Sequence, residues 1–402
     1  MTTNSQPSIL KLFISFLRLG LTAFGGPSMV AYIRKMSVDK EHWLSSETFQ
    51  NGVALCQVIP GATAMQSAAY VGLKTRGVAG AAASFIGFGL PAFFLMSLLA
   101  AVYKLVINLP VTVFIFSCLQ AIIVAVIANA TISFGRATLK EWKSIIITIF
   151  AVVLYALKVN PIIIIVLSAG FGVLLGFGNP SSWGKNQNEK LQAGGNITLL
   201  SEKSNSNLRK IFLILFPYAI LLTALFFLEK NLFVISTLMF RIDLFAFGGG
   251  FASIPLMFHE IVDVRHLLDS KTFLDGIALG QITPGPIVIT STFIGYMLFG
   301  LLGAIVGTIS IFLPSFLMLV GVTPFFDRLR THKLFNEVIR GVLSSFVGLL
   351  FTVTIQFALN IHWGTVQIFL GVAALSALLL KTDILYVVLV GTVISLLIFF
   401  MI

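Results

Sequence analysis

The stretch ALCQVIPG at residues 54–61 returns 224 residues later as ALGQITPG at residues 278–285. The motifs around it recur in the same order, at an offset of 223 or 224 residues. The first half carries FGGPSMV (24–30), WLSSETF (43–49), GVAGA (77–81) and GLPAFFLM (89–96), and the second carries FGGGFAS (247–253), LLDSKTF (267–273), GLLGA (300–304) and FLPSFLM (312–318). Apolar composition alone does not produce this order and spacing, so the chain contains two copies of one unit.

The composition is that of a membrane protein. Of the 402 residues, 57% are hydrophobic and 10% are charged, whereas soluble domains carry about 25% charged residues. Apolar segments lie near 9–33, 50–73, 76–103, 111–134, 144–158, 161–178, 211–228, 232–258, 272–297, 298–321, 338–358, 363–380 and 384–402. They predict an all-α polytopic membrane protein with about 10 to 13 membrane segments.

One long polar stretch divides the chain almost in half. Residues 179–210 are rich in Gly, Ser, Asn and Lys, which is typical of a flexible, solvated linker. The predicted organisation is a first transmembrane repeat at 1–178, a cytoplasmic linker at 179–210, and an extra span plus the second repeat at 211–402.

The net charge of the chain is +11, and its basic residues lie at the ends of the apolar segments. This is the pattern of positively charged cytoplasmic loops and not that of a surface that binds nucleic acid. Basic residues follow the 111–134 segment in the first half, but they precede the equivalent segment in the second half. They are Arg136, Lys140 and Lys143 in the first half, and Arg328, Arg330, Lys333 and Arg340 in the second. The two copies are therefore predicted to have opposite orientations in the membrane.

Both copies interrupt their apolar segments at equivalent glycines and prolines. Paired interruptions in two halves indicate a binding site near the midplane, and a broken helix exposes unpaired N–H groups that favour an anion. The residues predicted to bind substrate here are Gly25, Gly26, Gly248, Gly249, Pro60, Gly61, Pro284 and Gly285, together with the matched Gln57 and Gln281. The alternative is that the breaks only kink helices or allow close packing. The segments near 50–73 and 272–297 either cross the membrane or turn back within it.

Charged residues inside the apolar segments are further candidates. Arg18 and Arg241 each lie six residues before the FGG motif of their copy. Arginine is expensive inside a membrane and its planar donors match an oxyanion, so we expect this pair to bind substrate. The alternatives are extension of the side chain to the interface, or pairing of Arg241 with Asp243. Asp243 and Asp275 are the predicted groups for coupling to an ion, because buried carboxylates form proton relays.

No motif of an enzyme is present in the sequence. It contains no HExxH, GxxxxGK[ST] or GxSxG pattern and no Cys/His cluster, so we predict neither catalytic residues, nor a metal, nor a cofactor. The two cysteines, Cys56 and Cys118, lie in separate apolar segments and are interpreted as small buried side chains.

The motifs of both halves resemble those of the chromate transporter family in its long-chain, two-domain form. The similarity rests on FGGP (24–27), ALCQVIPG (54–61) and GLPAFFLM (89–96), and on FGGG, ALGQITPGP and FLPSFLML in the second half. The first Pro-Gly turn departs from the family pattern, because it reads PGATAMQ and lacks the second proline found at Pro286.

This resemblance implies a secondary active transporter in the bacterial inner membrane. The family implies efflux of chromate, driven by the proton gradient or by anion exchange, with sulfate as the analogous oxyanion. The expected partners are the oxyanion and membrane lipid, without nucleic acid, and formation of a homodimer is left open. An oxyanion-permeable channel is the alternative function.

Overall fold

A computed structural model of the chain describes residues 7–24, 26–176 and 204–401, which form helices and turns without any β-strand. The helices of the first repeat are α1 (Ile9–Thr22), α2 (Gly26–Arg34), α3 (Ser46–Val58), α4 (Thr63–Val106), α5 (Pro110–Thr138), α6 (Trp142–Ala156) and α7 (Pro161–Gly176). A further helix, α8 (Ser204–Leu228), precedes the second repeat. That repeat contains α9 (Lys230–Phe245), α10 (Ser253–Phe258), α11 (Ser270–Ile282), α12 (Thr290–Val322), α13 (Phe326–Thr331), α14 (Lys333–Asn360), α15 (Thr365–Leu379) and α16 (Ile384–Met401).

The apolar helices identify a multi-pass membrane protein, as predicted. Five helical stretches of the described residues are long and apolar enough to cross a membrane, judged by length and composition. They are Thr63–Val106, Pro110–Thr138, Ile287–Thr331, Lys333–Asn360 and Ile384–Met401. Shorter apolar helices occupy Trp142–Ala156, Pro161–Gly176, Leu215–Leu228 and Thr365–Leu379.

Most of the predicted linker, residues 177–203, lies outside the described residues. Helix α8 begins at Ser204, within the stretch predicted to be linker, so this helix is longer than the 211–228 segment that hydropathy delimits.

The two repeats have the same backbone at equivalent positions. Arg76 (φ −135°, ψ 20°) and Gly77 (φ 64°, ψ −154°) correspond to Phe299 (φ −136°, ψ 23°) and Gly300 (φ 60°, ψ −149°). The helical segments on either side of each of these turns pack against each other through small residues, so the chain reverses here. Both α4 and α12 therefore consist of a short leg, a glycine turn and a long leg.

The segments around the Pro-Gly turns fold back as hairpins. The backbone of Gly52 packs against the ring of Tyr70, and that of Gly276 against the ring of Phe293. Helices α3 and α11 thus run antiparallel to the short legs that follow them. Each has 13 residues, or about 20 Å of helix against about 30 Å of hydrocarbon. These segments turn back within the fold, which answers the question that the sequence left open.

Side-chain caps begin both of these hairpins. The Ser45 hydroxyl accepts from the Thr48 N–H at 3.1 Å, and a carboxylate oxygen of Asp269 accepts from the Thr272 N–H at 2.7 Å. Such a cap satisfies one of the N–H groups that the first helical turn leaves unpaired. The aligned WLSSETF and LLDSKTF motifs are therefore the start signals of α3 and α11.

The segments that begin the two repeats also reverse, at their FGG motifs. In the first repeat, Nζ of Lys11 lies 2.6 Å from Oε2 of Glu41, although 30 positions separate them in the sequence. In the second, Arg241 forms an ion pair with Glu260. Both contacts join the two arms of a hairpin, whereas the hydropathy pattern had indicated one continuous segment. In the second repeat the reason is the pair Gly248 and Gly249, whose positive φ angles permit a tight turn that other residues resist.

The repeats are inverted relative to each other, as predicted. Thr131 and Thr354, which are equivalent residues 223 positions apart, hydrogen bond to each other at 3.3 Å and so lie on the pseudo-twofold axis. The Tyr103 hydroxyl, near the far end of α4, donates to Asp275, near the start of α11, at 2.7 Å. The long leg of α4 therefore reaches the base of the hairpin in the opposite repeat. The fold class, an all-α membrane protein of two inverted repeats with broken helices, is confirmed.

Basic loops gather at one end of the molecule, which we call the basic end and define by the loops at 74–77, 139–142 and 327–340. Asp327 interacts electrostatically with Lys74, and Arg340 lies 2.5 Å from Glu141. These two contacts join the loops of both repeats. The concentration of positive charge predicts that this end faces the cytoplasm.

Candidate functional site

A cavity of about 1410 Å³ lies between the two repeats. We call it the central cavity. Its walls come from α2, α3 and α5 of the first repeat and from the hairpin tips of the second, and it extends to the basic end. Its polar and glycine lining residues include Arg34, Gln50, Gln57, Thr63, Asn129, Ser133, Thr138, Lys140, Glu141, Ser144, Gly248, Gly249, Gly250, Gly280, Gln281, Thr283, Gly285 and Arg340.

Several helices begin at the end of the central cavity that is farthest from the basic end. We call this the deep end. The second FGG turn brings Gly249 and Gly250 to the wall, immediately before a 3-10 segment and α10. Thr63, the first residue of α4, and Ile287, which begins the turn leading into α12, line the same region. The first N–H groups of a helix lack intrahelical acceptors and carry the positive end of the helix dipole. This end of the cavity therefore suits a negatively charged ligand.

Glycine is needed where the second FGG turn meets the cavity. Gly248 has φ 94° and Gly249 has φ 96°, which are conformations that L side chains rarely adopt. A Cβ atom on Gly250 would lie 3.0 Å from Cγ2 of Ile287, and one on Gly249 would lie 3.4 Å from Oγ1 of Thr63. The backbone thus approaches the opposite wall closely, and a side chain at these positions would occupy space at the site.

Two glutamines add side-chain amides to the deep end. Gln57 is exposed to the cavity although its neighbours Cys56 and Val58 are buried. Nε2 of Gln281 is buried and has no hydrogen-bond partner among the described residues. A buried donor without an acceptor is unfavourable by about 1–3 kcal/mol. An acceptor-rich ligand would satisfy it.

Cations line the end of the cavity nearest the basic end. Arg340 is 8% exposed and pairs with both Glu141 and Glu337. Arg34 and Lys140 line the same wall. Among the lining residues of the described chain, Glu141 is the one acid, and it is paired with Arg340. The electrostatic balance of the lining is therefore positive.

The structure brings several of the predicted site residues to the cavity. Gln57, Gln281, Gly248, Gly249 and Gly285 line it. Pro60, Gly61 and Pro284 lie at the same hairpin tips but are packed behind the lining, and Gly26 begins α2. Gly25 lies outside the described residues.

The predicted pair of arginines lies elsewhere. Arg18 is on the exposed face of α1, and Arg241 is turned towards Glu260. Neither is among the residues that line the central cavity. Repeat equivalence placed them at matching positions, but the packing of their helices directs both side chains away from the cavity.

Sequence reasoning missed Arg340 as a site residue. Its position at the edge of an apolar segment led to its assignment to a loop, whereas it lies in the third turn of α14. The available signal was Glu337, three residues earlier, because an acid and an arginine at this spacing share a helix face.

The two predicted coupling carboxylates have different surroundings. Both oxygens of Asp275 accept hydrogen bonds, one from the Tyr103 hydroxyl at 2.7 Å and one from Nε2 of Gln120 at 2.8 Å. Asp243 is fully buried, and its Oδ2 accepts from the N–H and the hydroxyl of Ser315, at 2.8 and 2.6 Å. Oδ1 of Asp243 has no partner among the described residues.

The sequence was also compared with known proteins. The family model described as chromate transporter matches residues 10–173 and again residues 233–396, so that one match falls on each repeat. The chain belongs to the chromate transporter family. The double match identifies the long, two-domain form and agrees with the two structural repeats.

Relatives in this family come from diverse organisms. An uncharacterized transporter of Methanocaldococcus jannaschii is 42% identical over 99% of this chain and 96% of its own length. A probable chromate transport protein of Synechococcus elongatus is 30% identical over 85% of this chain and 82% of its own. The chromate transport protein of Pseudomonas aeruginosa is 28% identical over 89% of this chain and 83% of its own length. No solved structure matches the chain.

Proposed function

We propose that this protein is a secondary active transporter that moves chromate, or a sulfate-like tetrahedral oxyanion, across the bacterial inner membrane. Transport would run outward and be driven by the proton gradient or by anion exchange. The observation that supports this most is the central cavity between two inverted repeats, whose deep end offers donors to a ligand. The names of the chromate transport proteins among the relatives point to the same substrate class.

The deep end of the cavity has the chemistry that a tetrahedral dianion requires. Chromate and sulfate carry four acceptor oxygens and no proton donor at neutral pH. The helix starts at Gly250, Thr63 and Ile287 supply N–H groups, and Gln281 supplies an unpaired amide. Hydrogen bonds in which one partner is charged are about twice as strong as neutral ones, so this donor set favours the dianion over neutral solutes.

The inverted repeats support alternating access in place of a continuous pore. In transporters of this architecture, one repeat moves against the other around a fixed midplane site. The central cavity reaches the basic end, where Arg34 and Lys140 line its wall. A conformation open to the cytoplasm that loads an anion is the starting state of an exporter.

The test is uptake of radiolabelled chromate and sulfate into proteoliposomes, with and without a pH gradient. Gln281→Leu removes one donor to a charged ligand, so the apparent affinity should fall about tenfold or more. Gln367→Leu is the matched control, because Gln367 bonds to Ser117 at 3.0 Å and lies outside the cavity lining. The proposal fails if neither anion moves, and currents too large for a carrier would establish a channel instead.

A further inference from the structure

The carboxyl group of Asp243 lies at the point where the first hairpin tip meets the second repeat. Asp243 is fully buried. The Ser315 N–H and hydroxyl both donate to Oδ2, at 2.8 and 2.6 Å, which leaves Oδ1 without a partner among the described residues. One oxygen of this carboxyl group is therefore hydrogen bonded and the other is not.

A second unpaired acceptor belongs to the same hairpin tip. Nε2 of Gln66 donates to the carbonyl oxygen of Pro60 at 2.5 Å, so the amide is oriented and its Oε1 is left buried without a partner in the described chain. Both groups surround Gly61: a Cβ atom there would overlap the Ser315 hydroxyl that holds Asp243, and it would lie 3.0 Å from Nε2 of Gln66. Two buried acceptor oxygens without a donor among the described residues thus belong to side chains packed around this hairpin tip.

Protonation at Oδ1 would remove the unpaired charge of this carboxyl group. A carboxylic acid protonated at Oδ1 has an O–H group that can donate to an amide oxygen, and it avoids the large penalty of an ionised carboxylate in an apolar interior. No basic side chain of the described residues forms an ion pair with Asp243. Arg241, on the same helix, pairs with Glu260. The group that α12 presents to the carboxyl is Ser315, and the first hairpin packs against Ser315 through Gly61; neither residue titrates.

The equivalent place in the other hairpin has none of this chemistry. At the tip of the second hairpin, a Cβ atom on Gly285 would meet the methyl group of Ala92 at 2.8 Å. Gly20 occupies the position equivalent to Asp243, and Gln66 aligns with Ile289 or Thr290, at offsets of 223 and 224 residues. A hairpin tip of this kind therefore forms without an acid, so the turn itself does not require Asp243.

The same tip forms part of the central cavity. The Gly61 N–H donates to the Ala246 carbonyl at 2.9 Å, which ties the tip to the end of α9, and the next residues, Ala62 and Thr63, line the cavity. An ionised carboxylate buried behind this tip without a cation is unfavourable and would weaken the packing of the tip. The protonated form stabilises the tip in its present position.

We propose that Asp243 binds the transported proton, and that its protonation sets the position of the first hairpin tip and so couples the proton gradient to the anion site. This inference rests on the proposed transport function. In each cycle an O–H bond forms at Oδ1 from a proton of the aqueous phase on one side, and it breaks to return that proton to water on the other.

The decisive variant is Asp243→Asn, a neutral isostere of the protonated carboxylic acid that cannot release a proton. In proteoliposomes, an imposed pH gradient should change the initial rate of chromate transport in the wild type. The response should fall at least about tenfold in Asp243→Asn, while exchange of chromate without a gradient persists. Asp275→Asn is the matched control: its carboxylate is already hydrogen bonded on both oxygens, so the pH response should remain.

A second readout does not depend on transport. Infrared spectra of the purified protein should contain the carbonyl band of a protonated carboxylic acid, which Asp243→Asn should lack and Asp275→Asn should retain. If the wild type moves oxyanions but Asp243→Asn keeps its pH response, this inference fails and the proposed function stands. If the wild type moves no oxyanion, both fail.

Discussion

At the first hairpin tip, Gly61 packs against Ser315, which holds the buried carboxyl of Asp243. At the second tip, Gly285 packs against Ala92, and no acid is present at the equivalent place. The backbones of the two tips match, with φ 111° at Gly61 and φ 120° at Gly285. Duplication therefore preserved the turn, whereas the side chains around it diverged.

A second divergence lies at the basic end. Arg340 of the second repeat pairs with Glu337 and Glu141 beside the central cavity, whereas Ser117 is the equivalent residue of the first repeat. The two repeats share the backbone that forms the cavity between them. Their polar residues differ at equivalent positions, so the two sides of the cavity have different chemistry. An exact copy would be equally suited to binding from either side. The differences between the copies are therefore the place to look for direction and coupling.

The largest expected effect comes from breaking the charge cluster at Arg340. Arg340→Ala leaves Glu337, which is 3% exposed, without its cation. Removal of one partner from a buried ion pair destabilises a protein by about 3–5 kcal/mol. The free energy of unfolding in detergent, measured with denaturant, should fall by this amount. Ser117→Ala, the equivalent change in the first repeat, should have a far smaller effect.

Removal of both charges is the control for this prediction. A double variant, Arg340→Met with Glu337→Leu, leaves no uncompensated charge at Glu337 and should recover most of the lost stability, because a buried pair is often neutral relative to apolar residues. Equal stability of Arg340→Ala and Ser117→Ala would show that the cluster contributes nothing to the fold.

The second largest expected effect is a difference in stability between alanine variants at the two hairpin tips. Alanine at Gly61 or Gly285 places a side chain at a positive φ, which is unfavourable by about 1–3 kcal/mol. At Gly61 the new methyl group would also displace the Ser315 hydroxyl from Asp243. Gly61→Ala should therefore be the less stable variant, and Ser315→Ala in the same chain should reduce the difference. Thermal unfolding of the two single glycine variants and of the Gly61→Ala, Ser315→Ala double variant measures this difference in stability. Equal losses of stability at both tips would contradict the asymmetry.

Much of this fold was accessible from sequence because duplication makes patterns visible. The repeated FGG and Pro-Gly motifs predicted broken helices, and alternating loop charge predicted inversion. Hydropathy could not distinguish a crossing from a hairpin, because a run of apolar residues is equally apolar in both. The contact of Gly52 with Tyr70, which makes the difference, joins residues whose pairing no local pattern indicates.

The exposed position of Arg18 could have been predicted from the apolar stripe of α1. Leu12, Phe16 and Gly20 form the buried stripe of α1 at four-residue spacing, and the carbonyl of Phe88 lies close against Gly20. A residue two positions from both Phe16 and Gly20 projects from the opposite face of a helix. Equivalence between the repeats was a sound observation, but the apolar stripe determines which way each side chain points.

The smallest expected effect concerns that pair of arginines. Arg18→Ala removes an exposed side chain and should leave both stability and apparent anion affinity unchanged. Arg241→Ala leaves Glu260 with Arg265, whose Nε lies 3.6 Å from Oε2, so stability should fall by about 1 kcal/mol or less. Anion binding measured by calorimetry, beside Gln281→Leu, distinguishes a ligand contact from a structural one. Weaker binding by Arg18→Ala at unchanged stability would mean that the anion path includes the outer face of α1, and that the central cavity is only part of the site.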